Sequence, residues 1–175
     1  MDMSDSDYDE ANQPEFKSIC ARYGLAMYYV QVLEHGIVNA LVWLDLYQKT
    51  GGRWTPEEFD RYYESRFGDT LRELSKRLAS FGVITEELKE RLDEANRRRR
   101  FLAHHFFRET IDAMVTGEVP AVLARLENDR RFFAQTDAML DEIMEPLFER
   151  IGFTKEVRDR AADDYLDELS QRRSH

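Results

Sequence analysis

From Thr85 to Thr110 the chain reads TEELKERLDEANRRRRFLAHHFFRET, and its apolar residues recur with the period of an α-helix rather than a strand. At about 100° per residue, Leu88, Leu92, Ala95, Leu102 and Phe106 fall in one sector, with Ala103 and Phe107 at its edge. The spacing predicts one core-facing helix over the stretch, capped at its start by Thr85. Arg99 falls in the same sector as the leucines. Arg97, Arg100, His104 and Arg108 line the opposite side at the i, i+3, i+4 spacing of helical neighbours. Such a helix has a surface to bury on one face and a basic stripe to place on the other.

The same period governs the rest of the chain. A short helix from Pro14 to about Arg22 is followed by a segment from Gly24 to Lys49 that is apolar on most of its circumference. Its narrow polar strip holds Gln31, Glu34, His35, Asp45 and Lys49, interrupted by Val38 and Val42, two apolar residues placed to meet another subunit. His35 reads as a hydrogen-bonded structural histidine in preference to a second titrating group of a site. Thr55-Pro56-Glu57-Glu58 is a capping box with proline at the first helical position, opening a helix with Phe59, Tyr62, Tyr63 and Phe67 at core spacing. Leu71, Leu74, Leu78 and Phe81 mark another short helix. Leu126, Phe133, Leu140 and Leu147 repeat every seven residues along a long one, in which Pro146 predicts a kink near Glu142 to Glu145. A last helix carries Val157, Ala161, Tyr165 and Leu169.

No alternating strand pattern is present, so the expected class is all-α, an antiparallel helical bundle of five to six helices. One domain over residues 14–170 is expected, with a disordered acidic tail at 1–13 and a frayed end at 171–175, His175 having no role. The formal net charge is −10, and Asp2, Asp5, Asp7, Asp9 and Glu10 carry half of it in the tail. The body is therefore only mildly acidic, which argues against strong non-specific nucleic-acid binding while leaving the arginine run able to grip a phosphate. The tail reads as a solubilising end, with competition for a basic site as the sharper alternative.

Cys20 is the single cysteine, so no intrachain disulfide is expected. Neither a signal-peptide pattern nor a long uncharged apolar run is present, and the chain reads as cytoplasmic, without a membrane span. His105 and Glu109 stand at i, i+4, but no third ligand and no H-E-x-x-H arrangement accompanies them, so no metal is expected. No phosphate-cradling glycine loop or nucleophile elbow occurs, and no cofactor is expected.

Arg99-Arg100-Phe101-Leu102-Ala103-His104-His105-Phe106 resembles the arginine, four residues, histidine signature of the HEPN superfamily, small all-α domains that include metal-independent RNases of toxin–antitoxin and antiviral systems. Arg99 takes the arginine place, Leu102-Ala103 the apolar pair and His104 the histidine. Arg100 stands where the family usually has asparagine, and Phe106 where one toxin branch has a tyrosine modified by a partner nucleotidyltransferase. Arg100 with His105 fits the signature as a second register.

The resemblance implies a homodimer that pairs the two motif helices across a composite cleft, with RNA as substrate and a cognate antitoxin or partner protein as a further expectation. Metal-free RNA cleavage needs a base for the 2′-OH, an acid for the leaving 5′ oxygen and positive charge on the phosphorane. On that reading His104 and Arg99 are catalytic, while Arg97, Arg100, His105 and Arg108 support them or bind phosphate. On an ideal helix Arg99 and His104 point about 140° apart, so one helix does not aim both at one phosphate. The rival reading is a non-catalytic HEPN-like interaction protein (antitoxin, adaptor or scaffold) in which Arg99 forms a buried ion pair and Arg97, Arg98 and Arg100 are a solvated face near Asp93 and Glu94.

Overall fold

The computed structural model describes residues 14–51, 53–66, 68–150, 152 and 154–173. The expectations for the tail 1–13, for Phe67 and for His175 lie outside those residues, as do the side chains of Ala161, Tyr165 and Leu169. The described chain is helical throughout its regular structure: α1 (Pro14–Leu41), a π-helical segment (Val42–Leu46), α2 (Tyr47–Thr50), α3 (Pro56–Arg66), α4 (Leu71–Ser80), α5 (Glu86–His104), α6 (Phe106–Thr116), α7 (Val119–Arg150) and α8 (Lys155–Arg173). No described helix is long and apolar enough to cross a membrane.

The two long elements, α1 and α7, form the principal pair, and α4 and α5 pack against the same core. Leu33, Ile37 and Leu41 of α1 meet Leu126, Phe133 and Leu140 of α7 in one buried cluster with Leu74, Leu78, Leu88, Leu92 and Leu102. Three members of the seven-residue repeat are buried and the fourth, Leu147, packs against the cluster, as a seam between two long helices requires. The aromatic rings of Phe59, Tyr62 and Tyr63 also lie against this cluster, which is the core role their spacing indicates.

Four expectations are corrected. The break at Arg22–Gly24 does not occur: α1 runs through Gly24, because Ile19, Ala26 and Val30 bury on one continuous face and outweigh the roughly 1 kcal/mol a helical glycine costs. Val38 and Val42 are not a wet-side face for another subunit; both are buried, with α4 packed on α1 and α3 on the π segment that Val42 begins. Asp45, expected in the same polar strip, is also buried. Finally, the motif helix is not one piece from Thr85 to Thr110. It stops at His104, turns at His105 (φ −124°, ψ −25°) and resumes as α6.

That turn has a visible cause in the packing. Phe106 is buried and stacks on Tyr23 of α1 at 5.1 Å, while the Tyr23 hydroxyl donates to the carbonyl of Leu102 at 3.3 Å. Leu102 and Phe106, four residues apart, are thus both tied to the same tyrosine, and the chain re-aims between them. With the motif helix divided and α2 set off by the π-helical segment, the described residues form more helical segments than the five to six expected. Thr70 and Thr85 cap α4 and α5 through hydrogen bonds from the backbone N–H of Glu73 and Leu88. Gly117 ends α6 with the left-handed φ of 78° that favours glycine.

Candidate site at the bend between α5 and α6

Four arginines arrive together in the last turns of α5, and three of them meet carboxylates of their own chain. Arg97 donates to Glu94 at 2.8 Å on the outside of the helix. Arg98 reaches inward, where its Nε donates to Glu94 at 2.7 Å and its Nη1 to Asp129 of α7 at 3.0 Å, with the guanidinium over the Phe132 ring at 4.0 Å. Asp129 is only 5% exposed. Burial pushes its carboxyl above the ordinary range, and the positive charges of Arg98 and Arg125 oppose that push. Arg98 is therefore not part of a solvated face; it is the internal partner of a buried carboxylate, a role its position beside Glu94 concealed.

Arg99 is half-buried against α1. Its Nε lies 3.2 Å from a carboxylate oxygen of Glu34, close enough for charge attraction. The N–H does not point at that oxygen, and the Nε is buried without a hydrogen bond. This is the intrachain ion pair anticipated for a structural arginine, held in imperfect geometry.

The fourth arginine is different. Arg100 is exposed, as is His104 one turn later, and among the described residues neither has a carboxylate partner. Arg108, in the first turn of α6, is exposed and shares a 3.2 Å hydrogen bond with Nδ1 of His105. His105 lies at the bend, its ring stacked near Phe101 at 6.4 Å, while Arg125 of α7 covers the other region of Phe101 at 3.7 Å. The predicted outer stripe of Arg97, Arg100, His104 and Arg108 is thus present on the surface, although the bend re-aims its last member.

The structure brings Arg100, His104, His105 and Arg108 together at one corner and turns Arg99 to another side, against α1. One chain alone can present imidazole and guanidinium groups to an anion at this corner. It does not direct Arg99 and His104 at a common atom, as the helical period already indicated. Among the described residues no group of three or more histidine, cysteine, aspartate and glutamate side chains is arranged to hold a metal ion.

A second polar cluster was not visible in the sequence. Asp45, in the π-helical segment, receives hydrogen bonds from the Tyr62 hydroxyl and from Arg77 at 2.9 Å, and an ion pair from Lys49 at 3.1 Å. Burial raises its carboxyl pKa, but the donors of Tyr62, Arg77 and Lys49 outweigh burial and hold it at about 2. The cluster binds the π segment to α3 and α4. Nearby, His35 shares a 3.1 Å hydrogen bond with the Tyr63 hydroxyl, which fits the structural role expected of it.

Compared with protein-family models, curated proteins and solved structures, the chain matches none.

Proposed function

We propose that this chain is a HEPN-like helical bundle that works as a homodimeric, metal-independent endoribonuclease of the toxin or antiviral-defence type, acting at the corner between α5 and α6. The observation that carries the reading is the uncompensated charge there. Arg97, Arg98 and Arg99 each have an intrachain carboxylate, whereas Arg100 and His104 stand exposed without one among the described residues. In this arrangement His104 moves the proton as general base or acid, and Arg100, Arg108 and His105 hold the phosphate. Arg99, the arginine of the resemblance, joins the reacting group only where a second copy's helix supplies the other half and the Glu34 contact opens.

A non-catalytic interaction protein is the second reading, favoured by the Arg99–Glu34 pair itself, which ties the motif arginine into the fold. The test is cleavage of a mixed-sequence RNA in excess EDTA by the parent chain and by its His104→Ala, Arg99→Ala and Arg100→Ala variants, with the chemistry of the new ends and the mass in solution determined. Cleavage leaving 2′,3′-cyclic phosphate, lost in His104→Ala, supports the nuclease. Equal behaviour of parent and His104→Ala sinks it and leaves the interaction protein.

A further inference from the structure

The start of α1 lies beside the basic corner. Tyr23 stacks on Phe106 at 5.1 Å and meets Phe107 at 4.8 Å, and its hydroxyl donates to the carbonyl of Leu102, so three residues around the bend rest on one turn of α1. Pro14 opens that helix about 14 Å along the axis from Tyr23. Residues 1–13 lie outside the described structure, and their sequence, MDMSDSDYDEANQ, ends where the helix begins.

At about 3.3 Å per residue, a chain extended from Pro14 puts Glu10 about 13 Å away and Asp5 about 30 Å away. The carboxylates therefore bracket the distance to the corner. Asp5, Asp7 and Asp9 alternate in the sequence, which on an extended chain gives an even repeat of about 7 Å along one side. Tyr8 stands among them, and no lysine or arginine interrupts the run. The corner is matched to such a segment in charge and chemistry. Arg100 and His104 are exposed and without a carboxylate partner among the described residues, Arg108 is exposed beside His105, and Phe107 keeps 44% of its surface in solvent. Evenly spaced anions with an aromatic ring among them repeat the charge and stacking pattern of a short single strand of nucleic acid.

We propose that residues 2–10 dock on the corner of their own chain, with the carboxylates of Asp5, Asp7 and Asp9 on Arg100, His104 and Arg108 and the ring of Tyr8 against Phe107, and so compete with RNA for the same groups. The tether sets the strength of the contact. One exposed carboxylate–guanidinium pair is worth under about 1 kcal/mol. A short linker, however, holds the segment at an effective concentration of the order of millimolar, so several weak pairs occupy the corner until a longer polyanion displaces them. As a control on cleavage the docking rests on the nuclease reading; as a contact it does not, and the experiment separates the two.

A nitroxide spin label attached through Ser6→Cys, in a Cys20→Ser background with helicity checked by circular dichroism, reads the contact by NMR. The isotope-labelled full chain is diluted into excess unlabelled chain, so that only contacts within one chain are seen. The amide signals of Arg100, His104 and Arg108 should broaden at low salt. The broadening should be lost at about 1 M sodium chloride, where the screening length falls to about 3 Å, and in the Arg100→Gln/Arg108→Gln double variant. A full chain carrying Asp2→Asn, Asp5→Asn, Asp7→Asn, Asp9→Asn and Glu10→Gln should bind a short single-stranded RNA roughly three- to tenfold more tightly than the parent at low salt, with the difference closing at high salt. The proposal is overturned if the corner amides broaden no more than amides elsewhere on the described surface, or if the broadening survives both salt and the double variant. It is equally overturned if the two chains bind the RNA with the same measurable affinity. Corner broadening in a chain that binds no RNA supports the contact and sinks the nuclease reading instead.

Discussion

The basic corner at the end of α5 and the acidic groove along α7 are separated by α1, and three consecutive residues of α1 face both. Glu34 meets Arg99 of α5, His35 meets Tyr63 of α3, and Gly36 accommodates Asp137 of α7. At about 100° per residue, one helix can thus hold a carboxylate toward a cationic element and an absent side chain toward an anionic one. The two regions handle charge in opposite ways. At the corner, own-chain carboxylates neutralise most of the arginine run and leave a small exposed remainder. In the groove like charges come together instead: Asp137 is half-buried beside Asp141, and burial with that negative charge raises its carboxyl. The exposed remainder at the corner is where an anionic ligand gains most.

The largest expected effect breaks the corner. If Arg100 and His104 are the working remainder, His104→Ala should lower RNA cleavage by about 10²- to 10⁴-fold, the usual contribution of a general acid or base. Helix content and thermal midpoint should stay at parent values, because His104 is exposed and ends α5 without a buried contact. Loss of fold together with activity would instead assign the histidine to the bend.

Next comes the compensated part of the same arginine run. Arg98→Ala leaves Asp129 buried without its principal partner, and a buried carboxylate stripped of its cation costs about 3 kcal/mol. Chemical denaturation should show that loss near neutral pH. Substituting Asp129→Asn in the Arg98→Ala background should recover much of it. A loss under 1 kcal/mol would mean that solvent reaches Asp129 and that the contrast between Arg98 and Arg100 is smaller than their burial implies.

In the groove the sign reverses. The Asp137 carboxyl titrates at about 6 in the folded chain against 3.8 for the ordinary group. The stability its protonated form contributes is therefore complete below pH 3.8 and is lost as pH rises through 6. Asp137→Asn should raise stability at pH 7 by about 1–2 kcal/mol after solvent screening, and the gain should vanish near pH 4. A variant less stable than the parent at pH 7 would show that the ionised carboxylate is anchored rather than strained.

Much of this molecule was legible in the sequence, for reasons that single residues make plain. The period of Leu88, Leu92, Ala95 and Leu102 identified the buried face of α5, and the repeat from Leu126 to Leu140 identified the seam of α7, because burial on a regular helix follows directly from spacing. The exposure of Arg97, Arg100, His104 and Arg108 followed by the same rule. The bend at His105 was not legible, since its cause is Tyr23, about eighty residues away, gripping Leu102 and Phe106 from another helix. Asp45 was misread for a related reason. Helical period put it on the polar strip, but that strip is where Tyr62 and Arg77 of α3 and α4 close over α1 and the π segment. The acidic groove also needed three dimensions, as nothing in the spacing of Asp137, Asp141 and Glu145 announces two tryptophans across from them.

The smallest effect on stability is the one that most sharpens the corner. Arg99 faces Glu34 at 3.2 Å with both side chains partly exposed, and its Nε–H makes no hydrogen bond. Such a pair is worth under about 1 kcal/mol, and the packed stem of the arginine adds a similar amount. Arg99→Ala should therefore lower stability by only about 1 kcal/mol, and Glu34→Gln by less. Two cleavage outcomes then separate. If Arg99→Ala abolishes cleavage while Glu34→Gln leaves it intact or raises it, the arginine acts on RNA and the glutamate merely holds it between turnovers. If both variants keep parent activity while Arg100→Ala loses it, the working arginine is the one that the fold leaves without a carboxylate, and Arg99 belongs to the packing of α1 on α5.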